Sequence, residues 1–390
     1  MTPSQASPVL GTSVQPPRHG DLAVRRDYVY HVDVVRLVTF VCVVGVHAIT
    51  STMNPQSIAS GAVVSLMHFT RGAFFVLTAF VLTYVYSSAP LRVRPFWGRR
   101  FLYVGVPYVV WTVVYWWVAL RAMPQPADLC QLGIDLVTGT GNYHLYFLLV
   151  SLQLYLLFPV LLWLVRRARG HHVALVVVSG AVELGLMALA HYPHWPGPWS
   201  TLQANVLVLS PMYQFYFVVG ALAAVHHERL RTWVRQHPRA VVGALVGTAA
   251  VHVGVYLGQL SSSGSVARAY DPLQPSVVPW TVAVTLGLYA WGCFYAARRQ
   301  SGSRLARFVD LASVTSFGVF LVHPLFLNTL LGPWLAWGYS SLDPTVSGAL
   351  AWVGTLLLSF AFAVVVLRTP LALPLAGRHR IRATRTAASP

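Results

Sequence analysis

The chain is predicted to fold as an all-α membrane bundle of about ten transmembrane helices, and three features of the sequence carry that expectation. First, 56% of its 390 residues are hydrophobic and only 9% are charged, with a mean hydropathy of +0.60. Soluble domains carry about 25% charged residues, so most of this chain belongs in a bilayer. Second, apolar runs recur along its whole length, each near the ~20 residues that a spanning helix needs. Third, all 27 basic residues are arginine, grouped in short clusters between those runs. That is the distribution of cytoplasmic loops in a multi-pass protein. The net charge of +17 therefore reflects topology, and nucleic acid is not an expected partner. Cys42, Cys130 and Cys293 are far apart and odd in number, which gives neither a disulfide framework nor a metal spacing. The 15 histidines show no ligand spacing with a carboxylate or thiolate, so no metal is expected.

Taken in order, residues 1–30 are rich in Pro, Ser, Gln and Gly and read as a disordered cytoplasmic tail without the apolar core of a signal peptide. The membrane domain is expected over 31–368. Its apolar runs fall near 32–52, 61–87, 101–120, 143–165, 173–191, 204–226, 240–260, 276–297, 308–331 and 345–367. Pro107, Pro159 and Pro211 are expected to kink or cap their helices. A basic cytoplasmic tail, 369–390, follows. With the amino terminus inside, 23 arginines fall in cytoplasmic segments, and only Arg121 and Arg268 fall outside. Both termini are therefore expected in the cytoplasm.

Chemistry must then lie between the helices, at the polar residues inside the spans. The first span carries Arg36 and His47, eleven residues apart, which puts both on one helical face about 16 Å apart along the axis. Asp33 lies one turn before Arg36, close enough to pair with it. Charge this deep in a Val/Leu/Phe helix marks a polar cavity or pathway, although an interfacial anchor would use the same residues. The second span opens with His68 and Arg71. Arg99 and Arg100 stand at the mouth of the third, where they serve as topology charges at the least. His144 and Tyr146 begin the fourth at an aromatic interface. Glu183 is the one acid in the middle of a span, and His323 precedes a proline in the ninth; sequence assigns neither a partner.

These pieces, in this order, resemble the acyltransferase 3 family of multi-pass membrane acyltransferases, including the branch that modifies or helps export surface polysaccharides. The resemblance rests on Asp33 with Arg36-x10-His47 and on Arg71 followed by Phe74-Phe75. It rests equally on Arg99-Arg100-Phe101 with Pro107-Tyr108, on His144-Leu-Tyr-Phe-Leu with Tyr155 and Pro159, and on Phe320-Leu-Val-His-Pro. Two departures stand out. Thr78-Ala79 occupies the place of a common Ser-Gly, and Leu102 and Tyr103 follow the arginine pair where many members add another basic residue.

The resemblance implies a cell-membrane O-acyltransferase with acyl-CoA, acetyl-CoA by preference, as co-substrate and no tightly bound cofactor. The acceptor is a hydroxyl of a glycan, a glycolipid or a sugar-bearing small molecule. His47, working with Arg36, is expected either as the base or as a transiently acylated nucleophile. Arg36, Arg99 and Arg100 suit the donor's phosphates, and Arg71, His68, His144 and Tyr146 face the acceptor. Two other classes fit a polar intramembrane path: an exporter or flippase, and a non-catalytic component of a polysaccharide machine. Paired inverted repeats would favour transport, and none is visible in the sequence.

Overall fold

A computed structural model describes residues 29–52, 54, 56–87, 90–120, 123–332 and 343–381. Residues 1–28 of the expected amino-terminal tail, Arg121 and the residues after 381 lie outside it. Among the described residues the chain is all-helical, without a strand, and nine helices are long and apolar enough to cross a membrane. In a bilayer each backbone amide must find its partner within the chain, and a helix does this locally.

The first helix, α1 (Tyr30–Thr52), is the hub of the bundle. It packs against α3 (Phe69–Tyr86), α14 (Val277–Arg298), α15 (Arg304–Phe326) and α16 (Pro344–Val366). α2 (Ile58–Met67) runs into α3 through a single turn at His68. Small residues set the closest helix approaches. A Cβ on Gly292 of α14 would strike the His31 carbonyl of α1, and one on Gly220 of α10 (Gln214–Val225) would strike the Val76 carbonyl of α3. At the periphery, α12 (Pro238–Ser263) buries only Val241, His252 and Tyr256, and turns Val242, Val246, Val251 and Leu257 outward, as a lipid-facing helix does. His252 ties it in, with ring nitrogens on the Ser65 and Ser276 hydroxyls at 3.0 and 2.8 Å.

Prolines shape the interior by removing an N–H from the helix ladder, and neighbouring side chains take up the carbonyl left over. In α7 (Tyr146–Arg167), Pro159 cannot donate to the Tyr155 carbonyl, and the Trp97 indole does so at 3.1 Å. In α15, Pro324 leaves the Phe320 carbonyl to the His323 ring, whose Nδ1 lies 2.7 Å away. Before Pro107, α4 (Val93–Arg100) passes through one π-helical turn, Phe101–Gly105, into α5 (Val106–Ala119), so this span starts earlier than its apolar run.

The sixth apolar run differs most from expectation. It breaks into α9 (Trp199–Ala204), two 3₁₀ turns around Pro211, and α10. Its continuous helical stretch, Ser210–Val225, is about 24 Å long against a hydrocarbon core of ~30 Å. Gln153 of α7 repairs the break, accepting from the Ser210 N–H at 3.0 Å and donating to the Val208 carbonyl at 2.8 Å. Glu183, fully buried in α8 (His172–His191), accepts from the Phe215 N–H and from Gln214, both at 3.2 Å. A carboxylate there complements the positive end of α10. That is the partner the sequence could not name.

The last described residues do not trail away. α17 (Ala372–Ala376) and Gly377–Ile381 fold back under the bundle. The Trp111 indole holds the Leu375 carbonyl at 3.1 Å, the Tyr103 hydroxyl meets the His379 ring at 2.6 Å, and the Ile381 N–H donates to Leu367.

Candidate active site

Two cavities lie along the face of α1 that carries Arg36 and His47. The larger, of about 710 Å³, is lined by Arg36, Arg100, Tyr103, Tyr155, Arg378 and His379, together with apolar residues of α3, α7 and α15. Among the described residues, no carboxylate lines it. The smaller, of about 230 Å³, is lined by His47, His68, Arg71, Tyr143, His144 and Tyr146.

In the arginine cavity, Asp33 does orient Arg36, with help from a distant helix. One guanidinium nitrogen of Arg36 donates to Asp33 Oδ1 at 3.2 Å and to Ser313 Oγ at 2.6 Å. Ser313 in turn donates to the same Asp33 oxygen at 2.6 Å. With both bonds made by one nitrogen, the other guanidinium nitrogens of Arg36 are left for a ligand in the cavity it lines. Arg100 lies over the Phe96 and Tyr155 rings, 5.5 and 5.7 Å from their centroids, a cation–π setting that holds the charge at the cavity wall. Arg99 is exposed and is not part of the lining. Arg378 and His379 are additions from the folded-back carboxy-terminal segment, which no motif singled out.

In the histidine cavity, His47 stacks on His323 at 5.3 Å between ring centroids, and His144 meets His323 edge-on at 5.3 Å. Tyr143 covers the other side of His47 at 4.6 Å. Arg71 donates to the Tyr146 hydroxyl at 3.4 Å. The His323 Nδ1–H is taken by the Phe320 carbonyl, so the neutral ring presents Nε2 as a proton acceptor. That atom, like the Nε2 atoms of His68 and His144, is buried with no hydrogen-bond partner. His68 and His144 line the cavity, with His323 against them, and an unsatisfied acceptor nitrogen suits an enclosed hydroxyl. Among the described residues, no three His, Cys, Asp or Glu side chains converge as metal ligands.

The arrangement therefore offers imidazoles and one guanidinium in one cavity, and Arg36, Arg100 and Arg378 in the other. A protein-family model for an acyltransferase domain matches residues 29–368. The chain belongs to the acyltransferase 3 family. No curated protein and no solved structure matched it. For this acyltransferase 3 member the general activity is acyl transfer, carried out by a multi-pass membrane protein. His323, weak as a sequence signal, sits at the centre of the histidine cluster. Its signal was the following proline, which frees the carbonyl that fixes the ring.

Proposed function

We propose that this acyltransferase moves an acyl group, acetyl by preference, from cytoplasmic acyl-CoA to a hydroxyl of a glycan, glycolipid or sugar-bearing metabolite at the cell membrane. One observation carries the reading: a cavity walled by arginines and free of carboxylates backs onto a cavity walled by histidines, along one face of α1. The arginine clusters of the loops assign the arginine cavity to the cytoplasmic side, where acyl-CoA is found. Arg36, Arg100 and Arg378 would take the donor's phosphates, for which a planar fork of donors is suited.

A hydroxyl is a poor nucleophile near neutral pH, so a base must remove its proton during attack. An imidazole of the His47–His323 pair takes that proton as the oxygen attacks the thioester carbonyl. The carbonyl oxygen gains the negative charge, and Arg71 is the cation nearest to it in a site of low dielectric. Collapse re-forms the carbonyl and breaks the C–S bond. The departing thiolate recovers the proton from the imidazolium, leaving ester, thiol and a neutral histidine.

The test is thiol release from acyl-CoA by purified protein in nanodiscs, with candidate acceptors. Wild type should release thiol. Arg36→Ala should abolish release and weaken binding of radiolabelled acyl-CoA, and Arg36→Lys should rescue poorly because a point charge does not reproduce the fork. No release with any acceptor, and no binding of labelled donor, would replace this reading with an export function.

A further inference from the structure

Three phenylalanines belong to both cavities. Phe74 of α3, Phe147 of α7 and Phe320 of α15 line the arginine cavity and the histidine cavity alike. Their ring centroids form a triangle: 5.5 Å from Phe74 to Phe147, 5.5 Å from Phe147 to Phe320, and 6.3 Å from Phe74 to Phe320. Rings at these separations are in contact, so no passage stands open between them. Each comes from a different helix, and two of them have further ring contacts. Phe147 packs on Phe75 at 4.6 Å, and Phe320 lies 5.3 Å from His144 and 5.9 Å from His323. The two chambers are thus divided by a thin aromatic septum.

We propose that this septum is the selectivity element for the acyl group and that it reads girth rather than length. The inference rests on the acyl-CoA reading given above. If the phosphates stay with Arg36 and Arg100, the thioester reaches His47 only by passing its acyl head between the three rings. A linear head is as slender as acetyl along its whole length. A branched or aromatic head must force three packed rings apart, and packed interiors resist such displacement. Phe74 and Phe147 are half-buried and have cavity space to move into, whereas Phe320 is nearly fully buried and fixed. The first two are therefore the moving leaves, and Phe320 is the post against which they close.

The experiment has two arms. In the first, thiol release is measured with acetyl-, butyryl-, isobutyryl- and benzoyl-CoA, with an alkyl glycoside as the acceptor probe, for wild type, Phe74→Ala, Phe147→Ala and Phe320→Leu. The two alanine variants should raise the benzoyl-to-acetyl rate ratio by about tenfold or more and leave the butyryl-to-acetyl ratio within about twofold. Phe320→Leu guards against loss of fold, since it keeps most of the bulk. It should raise the isobutyryl ratio by a smaller factor. In the second arm, the native cysteines are replaced and Val46→Cys is introduced into the wall of the histidine cavity. A charged thiol reagent applied to oriented vesicles should label it from one membrane face only, and from both faces once Phe74→Ala is added. Unchanged donor ratios in variants whose labelling has opened would overturn the girth selection. Labelling from both faces with the rings intact would overturn the closed septum. If wild type releases no thiol from acetyl-CoA, the donor reading and the selection fail together, while the labelling arm reports on the barrier by itself.

Discussion

At the scale of single residues, the assignment turns on which imidazole accepts the proton. His47→Ala should leave a folded, membrane-inserted protein and lower transfer by about 100-fold or more, the usual cost of losing a general base. His323→Ala should do comparable damage, because its ring stacks on His47 and its Nε2 is buried without a hydrogen-bond partner. A rate near wild type from either variant, in protein of normal yield and melting temperature, would remove that residue from the mechanism. His47 and Arg36 could be found in the sequence because eleven residues return an α-helix to one face, and that spacing needs no knowledge of other helices. The stacking of His47 on His323 could not, since it joins positions 276 residues apart and depends on how α1 and α15 meet. The Arg36–Asp33 pair was legible for the same local reason, whereas Ser313, which grips both, was not.

At the scale of elements, the carboxy-terminal segment shows what composition leaves out. Arginine-rich residues after the last apolar run read as a basic cytoplasmic tail, and composition alone carries no record of a fold-back. Yet Gly377, at φ +61°, turns the chain beneath Tyr103 and Phe317 and brings Arg378 and His379 to the arginine cavity. That conformation is open to glycine and strained for residues with a Cβ. Arg378→Ala should raise the KM for acyl-CoA several-fold with kcat little changed, since it removes ground-state contact to the donor and leaves the reacting atoms untouched. An equal fall in kcat would show that the segment does more than hold the donor. The long apolar helices were legible from run length alone. The sixth is helical from Pro211 on, as that proline leads one to expect, but shorter than its run, because run length does not reveal that Gln153 and Glu183 stand ready to satisfy the broken backbone.

At the scale of the whole molecule, the side on which each cavity opens rests on the arginine distribution. Cysteines introduced near Ser262 and Pro198 should react with an impermeant reagent from outside intact cells, and one near Arg167 should not. Reaction at 167 from outside would invert the bundle and move the donor's entry to the other face. The aromatic triangle at the middle has one more consequence, which is electrical. Three contacting phenylalanine rings hold no group along which a proton could hop, and their contact leaves no open channel for an ion. Any membrane potential then falls steeply across that thin layer, where each elementary charge moved through 100 mV involves about 2.3 kcal/mol. A bundle with arginines on one side of the layer and histidines on the other would otherwise offer a path for charge, and the packed rings interrupt it.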